Sequence, residues 1–406
     1  MPFDPATRRL KLDPRDPAFF ADPYPVYAEL HASPGPVFWE DYGFWCIPQH
    51  AVVSALLRDR RFGRQILHVA TREELGWPER PAHLAAFDAL ERHSLLELEP
   101  PEHTRLRALI GRAFVSRQVE RLAPSIAAMA EALIDGFAAE GQADLLEAFA
   151  TPIPVGVIAH MIGAPVEDSA RLLDWSHKMV AMYQFGPTHE VEHAAAAAAH
   201  EFADYVRRLV AERRRRPSDD LISQLIAAES VEGKLSEDEL VTTIVLLLNA
   251  GHEATVHGLG NGLKTILEQR VGFDGSEPAA EELLRFDPPL HLFTRYVLED
   301  VEIKGVILRR GERVGLLLGA ANHDPLVFPD PGRLKLTRVP NLHLSFGGGI
   351  HFCVGAPLAR LEMRVALPIL LGRLPGLALA EPPRYRDSYH FHGLEALKVR
   401  WERPTA

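Results

Sequence analysis

The chain has 406 residues, 47% of them hydrophobic and 24% charged, with a formal net charge of -11 at pH 7. That composition suits a packed globular body and excludes disordered, collagen-like and membrane-embedded classes, while the acidic balance argues against a nucleic-acid binder. Only Cys46 and Cys353 carry thiols, so the chain has no disulfide framework and no CxxC zinc or dithiol site, and a reducing compartment is expected.

The N-terminal stretch MPFDPATRRLKLDPRDPAFF has no apolar signal core, and no run reaches the ~18 uninterrupted apolar residues of a membrane span, which predicts a cytoplasmic protein. Prolines and short apolar runs up to Gly63 predict a short helix, a hairpin around Asp41 to Gly43, and a second helix. From Pro101 leucine, valine and alanine recur at helical spacing, and most of the chain to about residue 270 reads as helix. Within it, EHAAAAAAHEFADYVRRLVAERRRRPSDDLISQLIAAE is a good helix former whose four arginines before Pro217 suit a solvated helix end. Ser236 and Glu239 form a capping box ahead of a long apolar helix, LVTTIVLLLNAGHEATVHGLGNGLKTIL. A charged helix containing AAEELLRF follows Pro278, then strand-like pieces in TRYVLEDVEIKGVILRRGERVGLLLGAANHD, then a last helix from Ala356 to about Leu374. No repeat or flexible linker separates these parts. The expected architecture is mainly α (α+β): a single large helical domain with small sheets over 1–406, with 1–22 as an N-terminal extension of a body at 23–401.

The stretch FGGGIHFCVG, Phe346 to Gly355, sets a cysteine just before that last helix. A helix N-terminus favours thiolate, the form in which sulfur binds metals. Pro357 fits a first turn, and Leu358, Leu361, Val365 and Ile369 trace an apolar face. Glycines 347, 348 and 349 allow unusual backbone angles and close approach of a bound group. On the residues alone, a buried structural thiol is the ordinary reading of a lone cysteine. A phosphate-cradling loop lacks its closing Lys-Ser or Lys-Thr.

The full pattern of Phe346, Gly349, His351, Cys353 and Gly355 resembles the haem-binding loop of the cytochrome P-450 family. The resemblance implies that Cys353 is the axial thiolate on the iron of haem b, that Phe346, Gly347 and Gly355 shape its surroundings, and that His351 reaches a haem propionate. Further motifs follow in family order. In PPEHTRLR, His103 and Arg107 would bind a propionate, as would Arg295 in LHLFTRY. In EELLR, Glu282 and Arg285 are helix-face neighbours with an ordinary salt bridge as the default reading; the resemblance makes them a scaffold completed by Arg333 in FPDPGRLKL. AANHDPLVFPDP carries His323 where the family has arginine.

The long helix carries AGHEAT, Ala250 to Thr255. Glycine inside a helix costs about 1 kcal/mol relative to alanine, so Gly251 needs a reason, and a loosened groove admitting O2 is one. Glu253 lies four residues before His257, and a buried Glu-His pair is the ordinary reading. The resemblance makes Glu253 the carboxylate that relays protons. The family places threonine directly after the acid; here Ala254 stands there and Thr255 comes one residue later, turned by about 100° around the helix. An ordered water or a substrate hydroxyl is expected to complete the relay.

The resemblance implies a haem-thiolate monooxygenase that inserts one atom of O2 into a hydrophobic small molecule. Electrons would come from NAD(P)H through a separate ferredoxin reductase and ferredoxin, the latter docking near Arg105, Arg112, Arg360 and Arg364. The pocket would be lined by the stretch GWPERPAHLAAFDALERHSLL and by Leu247, Ala250, Leu292, Phe293 and Phe391, with His93, His291 and His390 as polar contacts. A peroxide-driven haem-thiolate peroxygenase and a haem sensor that never turns over are the alternatives.

Overall fold

The structure, a computed structural model, describes residues 2–228 and 235–403. Glu229, at the end of the alanine-rich helical run, and the two ends of the expected 1–406 domain lie outside them.

The apolar run after Ser236 folds as a helix, Glu237–Gln269, because its start is fixed on both sides of the cap. Ser236 Oγ accepts from Glu239 N at 3.2 Å, and the Glu239 carboxylate accepts from Ser236 N at 2.8 Å. Burial covers every face of the helix, as an apolar sequence all round requires. Against this central helix pack Pro152–Ile162, Ser169–Val180, His189–Arg215, Glu277–Phe286 and Ala356–Arg373. Small residues let them approach. A Cβ on Gly251 would sit 2.9 Å from Ile158 Cδ1, and one on Gly260 would sit 2.6 Å from Leu146 Cδ2. Close packing of Ile158 is one reason for glycine at position 251.

A seven-stranded sheet runs in the order Phe3–Asp4, Arg9–Leu10, Val37–Trp39, Phe44–Ile47, Arg313–Leu317, Leu292–Val297, Phe62–Gly63. The hairpin expected at Asp41 to Gly43 joins its third and fourth strands, with Gly43 at φ 70°. Val314 pairs with Trp45 in parallel, and Gly315 pairs with Thr294 antiparallel, so segments from both ends of the chain meet here. Residues 2–22 pack onto the body: Arg9 pairs with Phe38, and Phe3, Leu10 and Phe19 are buried. Because strand side chains alternate, Leu292 enters an aromatic cluster with Phe19, Tyr27 and Trp39, while Phe293 turns to the other face.

The run Ser116–Glu140 is long and apolar enough to cross a membrane by length and composition, although charged residues interrupt it. Here Ile126, Ala130, Ile134 and Phe137 bury one face, and the Ala123–Phe137 helix packs on Ala356–Arg373. The arginines at the end of His189–Arg215 are not all solvated: Arg213 pairs with Asp220 and donates to the Gly163 carbonyl at 2.7 Å.

The Ala356–Arg373 helix buries Leu358, Leu361, Met363, Ala366 and Leu367, leaving Val365 and Ile369 half-buried. On the same buried side lies Glu362, whose carboxylate oxygens have no hydrogen-bond partner among the described residues. Burial pushes its pKa well above the usual carboxylate range. Folding therefore takes up a proton above the unfolded pKa, and the cost grows as pH rises towards the folded one. Glu362→Gln is expected to match the wild type in urea unfolding near pH 4.5 and to exceed it as pH rises above that.

Candidate active site

The scaffold behind the cysteine loop is built on a fully buried ion pair. Arg285 grips Glu282 bidentately, with Nε to Oε2 at 2.8 Å and Nη2 to Oε1 at 2.9 Å, and its Nη1 donates to the Asn322 and Pro331 carbonyls. The third side chain is Arg338, not Arg333. Arg338 Nε donates to Glu282 Oε2 at 3.0 Å, whereas Arg333 is exposed and offers only its carbonyl, to Arg338 Nη2. Asn341 and the Lys335 backbone N–H complete the shell. Burial would raise the Glu282 pKa, but Arg285 and these donors hold it below the usual range. Asn322 carries the frame forward, accepting from Leu344 N and donating to Ser345 Oγ just before the cysteine loop. His323, where the family has arginine, bonds to the Phe286 carbonyl at 2.9 Å and stacks on Tyr24.

Within the loop, Cys353 N donates to the Phe346 carbonyl at 3.0 Å and Gly347 N to Leu344 O at 2.8 Å. Gly347 and Gly349 hold φ 70° and 67°, and a Cβ on Gly349 would lie 2.1 Å from the Leu57 carbonyl oxygen. Backbone angle and crowding both demand glycine there. Gly349→Ala is expected to cost about 1–3 kcal/mol and to lower the haem-to-protein absorbance ratio of purified protein several-fold. Arg360 lies over the Phe346 ring at 4.4 Å. Gly355 caps the Ala356–Arg373 helix, with Pro357 in the first turn. Cys353 has accessible surface, yet burial pushes its thiol up against the pull of the Gly355 N–H, Arg107, Arg360 and the Ala356 N–H. Access combined with dense surroundings places the sulfur in a cleft.

Four nitrogen-bearing side chains, His103, Arg107, Arg295 and His351, gather beside that cleft with the Glu99 carboxylate next to them. Both ring nitrogens of buried His103 and Nε2 of His351 lack hydrogen-bond partners, and the two rings lie 4.4 Å apart. Glu99 is 3.6 Å from His351 Nε2, beyond hydrogen-bond reach. Arg295 is buried and donates only to the Thr294 carbonyl at 2.9 Å. Burial pushes the Arg295 pKa down to about 9 and that of His103 to about 4, and lowers those of Arg107 and His351. Buried cations and donors left unpaired are costly, so this site suits a doubly anionic group. The two carboxylates of a haem fit it, with Cys353 within the same cleft.

Midway along the central helix Ala250 is exposed and Gly251 and Ala254 are half-buried, between turns that are buried. Glu253 sits beside them as a hub of imidazoles. Its Oε1 is 3.1 Å from His257 Nε2, and its Oε2 is 3.3 Å from His177 Nε2 and 3.4 Å from His252 Nε2. Burial would raise its pKa, but the hydrogen bonds from His177, His252 and His257 outweigh that and hold it well below the usual range. Burial lowers the His257 pKa in turn, so this ring is a neutral donor at pH 7. His257 was visible in the sequence at i+4; His177, on Ser169–Val180, was not. Thr255 Oγ1 donates to the Gly251 carbonyl at 3.0 Å, which turns its hydroxyl into its own helix.

The residues expected around the pocket are spread over several faces. Leu292 faces the aromatic cluster, and His291 is fully buried with Nδ1 2.7 Å from the Tyr27 hydroxyl. Leu247 is buried in the helical core. Phe293, half-buried, approaches Gly347, where a Cβ would lie 3.0 Å from its ring. Half-buried Phe391 bridges to Leu290 and lies near His257. His93 and His390 are half-buried, and burial pushes the His390 pKa to about 4. Of the arginines expected on a docking face, Arg105 pairs with Glu239, Arg360 with Glu281 at 2.5 Å, and Arg364 donates to Gly275 O at 3.2 Å.

Comparison with known proteins identifies the family. The Cytochrome P-450 family model matches residues 278–375, which hold Glu282, Arg285, Arg295 and the cysteine loop. The chain is 36% identical to the polyketide biosynthesis cytochrome P-450 PksS of Bacillus subtilis (strain 168), over 96% of this chain and 98% of the relative. It is 40% identical to nocardicin C N-oxygenase of Nocardia uniformis subsp. tsuyamanensis, over 94% and 98%. Its fold superposes on P450BioI, solved in complex with hexadec-9Z-enoic acid ligated acyl carrier protein, with a TM-score of 0.87 at 34% identity, covering 95% of this chain and 100% of that one. A cysteine at a helix N-terminus, an anion-seeking rim and relatives matched almost end to end lead to one assignment: the chain belongs to the cytochrome P-450 family of haem- and dioxygen-using monooxygenases.

Proposed function

We propose that this chain is a cytoplasmic haem b monooxygenase, its residues 23–401 acting as one catalytic domain, that oxygenates a mid-sized apolar molecule. Its electrons come singly from NAD(P)H through a separate ferredoxin reductase and ferredoxin. The observation that carries the reading is the cluster of under-satisfied donors beside the cysteine cleft: both ring nitrogens of His103, Nε2 of His351, and Arg295, which donates only to the neighbouring Thr294 carbonyl. Haem, when bound, supplies the redox chemistry and dioxygen activation. The chain supplies the rest. Cys353 would ligate the iron, and His103, Arg107, Arg295 and His351 would hold the propionates. Phe346, with Arg360 above it, shields the sulfur's side of the loop.

Glu253 passes protons inward from solvent, with half-exposed His177 as the outer contact. Because Thr255 is bonded to its own helix, a water or a substrate hydroxyl carries the final transfer. The partner docks beside the cysteine loop, where Ile350 and Phe352 are exposed and Arg58 lies against Gly348. Exposed Arg112 follows Arg107 at the end of the same helix. The names of the relatives above point to different molecules, so the substrate class rests on the chain's own side chains, exposed Ala250 and half-buried Phe293 and Phe391: an apolar molecule with few polar groups.

The committed Thr255 hydroxyl favours a second reading, a peroxygenase that takes both electrons and its oxygen from hydrogen peroxide. Reduction under carbon monoxide by NADPH, ferredoxin reductase and ferredoxin tests the choice. Ferredoxin-dependent reduction of the haem supports the monooxygenase. Failure with every ferredoxin tried, together with styrene oxidation driven by peroxide, supports the peroxygenase. Failure of both leaves the sensor.

A further inference from the structure

Away from the cleft, three histidines from two distant parts of the chain converge at the N-terminus of the His189–Arg215 helix. The helix opens with His189-Glu190-Val191-Glu192-His193, so that two imidazoles one turn apart share a face with glutamate between them. That spacing is a weak signal by itself. The third imidazole makes the difference: His83, on the Ala82–Leu84 turn, stacks on His193 with ring centroids 4.4 Å apart. One ligand atom from each of the three lies within 4.8 Å of the others.

The detailed distances approach a coordination sphere. His189 Nε2 and His193 Nε2 are 3.1 Å apart. Two nitrogens at about 2.0–2.1 Å from a tetrahedral zinc ion stand about 3.3 Å from each other. Glu192 Oε2 lies 2.9 Å from His83 Nε2 and 3.3 Å from His189 Nδ1. The latter contact is the carboxylate-to-imidazole bond that fixes tautomer and ring orientation in zinc sites, leaving Nε2 for the metal. His83 and Glu192 are half-buried while His189 is open, so an ion can enter without disturbing the core. None of these residues takes part in the haem site.

We propose that His83, His189 and His193 bind one zinc-class divalent ion, with Glu192 as fourth ligand or as the carboxylate orienting His189. The ion ties the Ala82–Leu84 turn to the long helix. Imidazole-rich sites favour zinc, nickel and copper over magnesium and calcium.

Equilibrium dialysis of the purified holoprotein against ZnCl2, with metal analysis, is the test. Wild type is expected to retain one zinc per chain at micromolar free metal, with a raised thermal midpoint as linkage requires, and MgCl2 to give neither effect. His83→Gln and His193→Gln should each weaken binding by about 100-fold or more, a larger effect than the 10–100-fold typical of outer-shell changes. Their metal-free melting curves should stay at the wild-type value. No bound zinc, or zinc retained in both variants, overturns the site. Retention in the variants combined with loss in His177→Gln would move the ion to the separate group of His177, His252 and Glu253.

Discussion

Arg285→Ala is expected to cost about 3–5 kcal/mol, a large part of the roughly 5–15 kcal/mol that holds a domain folded. Arg285 and Glu282 are each fully buried. Deleting the arginine leaves a carboxylate enclosed with Arg338, Asn341 and the Lys335 N–H as its remaining donors. It also strands the Asn322 and Pro331 carbonyls. Because Asn322 binds Leu344 N and Ser345 Oγ, the damage travels to the cysteine loop, and haem content should fall with stability. The graded comparison is the discriminating one. Arg338→Ala should cost about 1–3 kcal/mol through one lost charge-assisted bond and two freed carbonyls. Arg333→Ala should stay within about 0.5 kcal/mol, as exposed positions do. Urea unfolding of the three variants checks the order; equal losses in Arg333→Ala and Arg338→Ala would overturn the scaffold.

Glu253→Gln should lower product formation about 100-fold, the lower end of what a positioned proton-transfer group contributes, while haem reduction by the partner continues. Oxygen should still be consumed, released as peroxide instead of entering product, so the ratio of product to oxygen falls. Since its three imidazole neighbours hold the Glu253 carboxyl well below the usual range, its own titration leaves no step in the activity profile above pH 5. His177→Ala, which removes the outer contact and leaves His252 and His257 in place, should reduce product formation less than Glu253→Gln. Unchanged coupling in Glu253→Gln would assign these imidazoles a purely structural role.

Local signals in this chain were legible because their physics is local. The capping box at Ser236 and Glu239, the hairpin at Gly43 and the helix opening after Gly355 depend on neighbouring residues alone. The cysteine loop was legible through its glycines, two of which sit at positive φ. Positions decided by tertiary packing were not. Arg333 and Arg338 lie in the same irregular segment, and only the path of that segment around Glu282 decides which guanidinium turns inward. Strand alternation could have warned that Leu292 and Phe293 face opposite sides, but not which side meets the cleft. His291 is bonded to the Tyr27 hydroxyl, 264 residues away in sequence. Gly251 shows the same limit: one reason for it is the Ile158 side chain of another helix. The His189 and His193 pair was present in sequence, whereas His83 joins it only through folding.

The most direct test of the whole account is the carbon monoxide difference spectrum of the dithionite-reduced protein, recorded beside that of Cys353→Ala. A strongly red-shifted Soret band in the wild type, absent from the variant, is the predicted result, because only thiolate from this cysteine is placed to ligate the iron. A band at the position of histidine-ligated haem, or one that survives in Cys353→Ala, would contradict it.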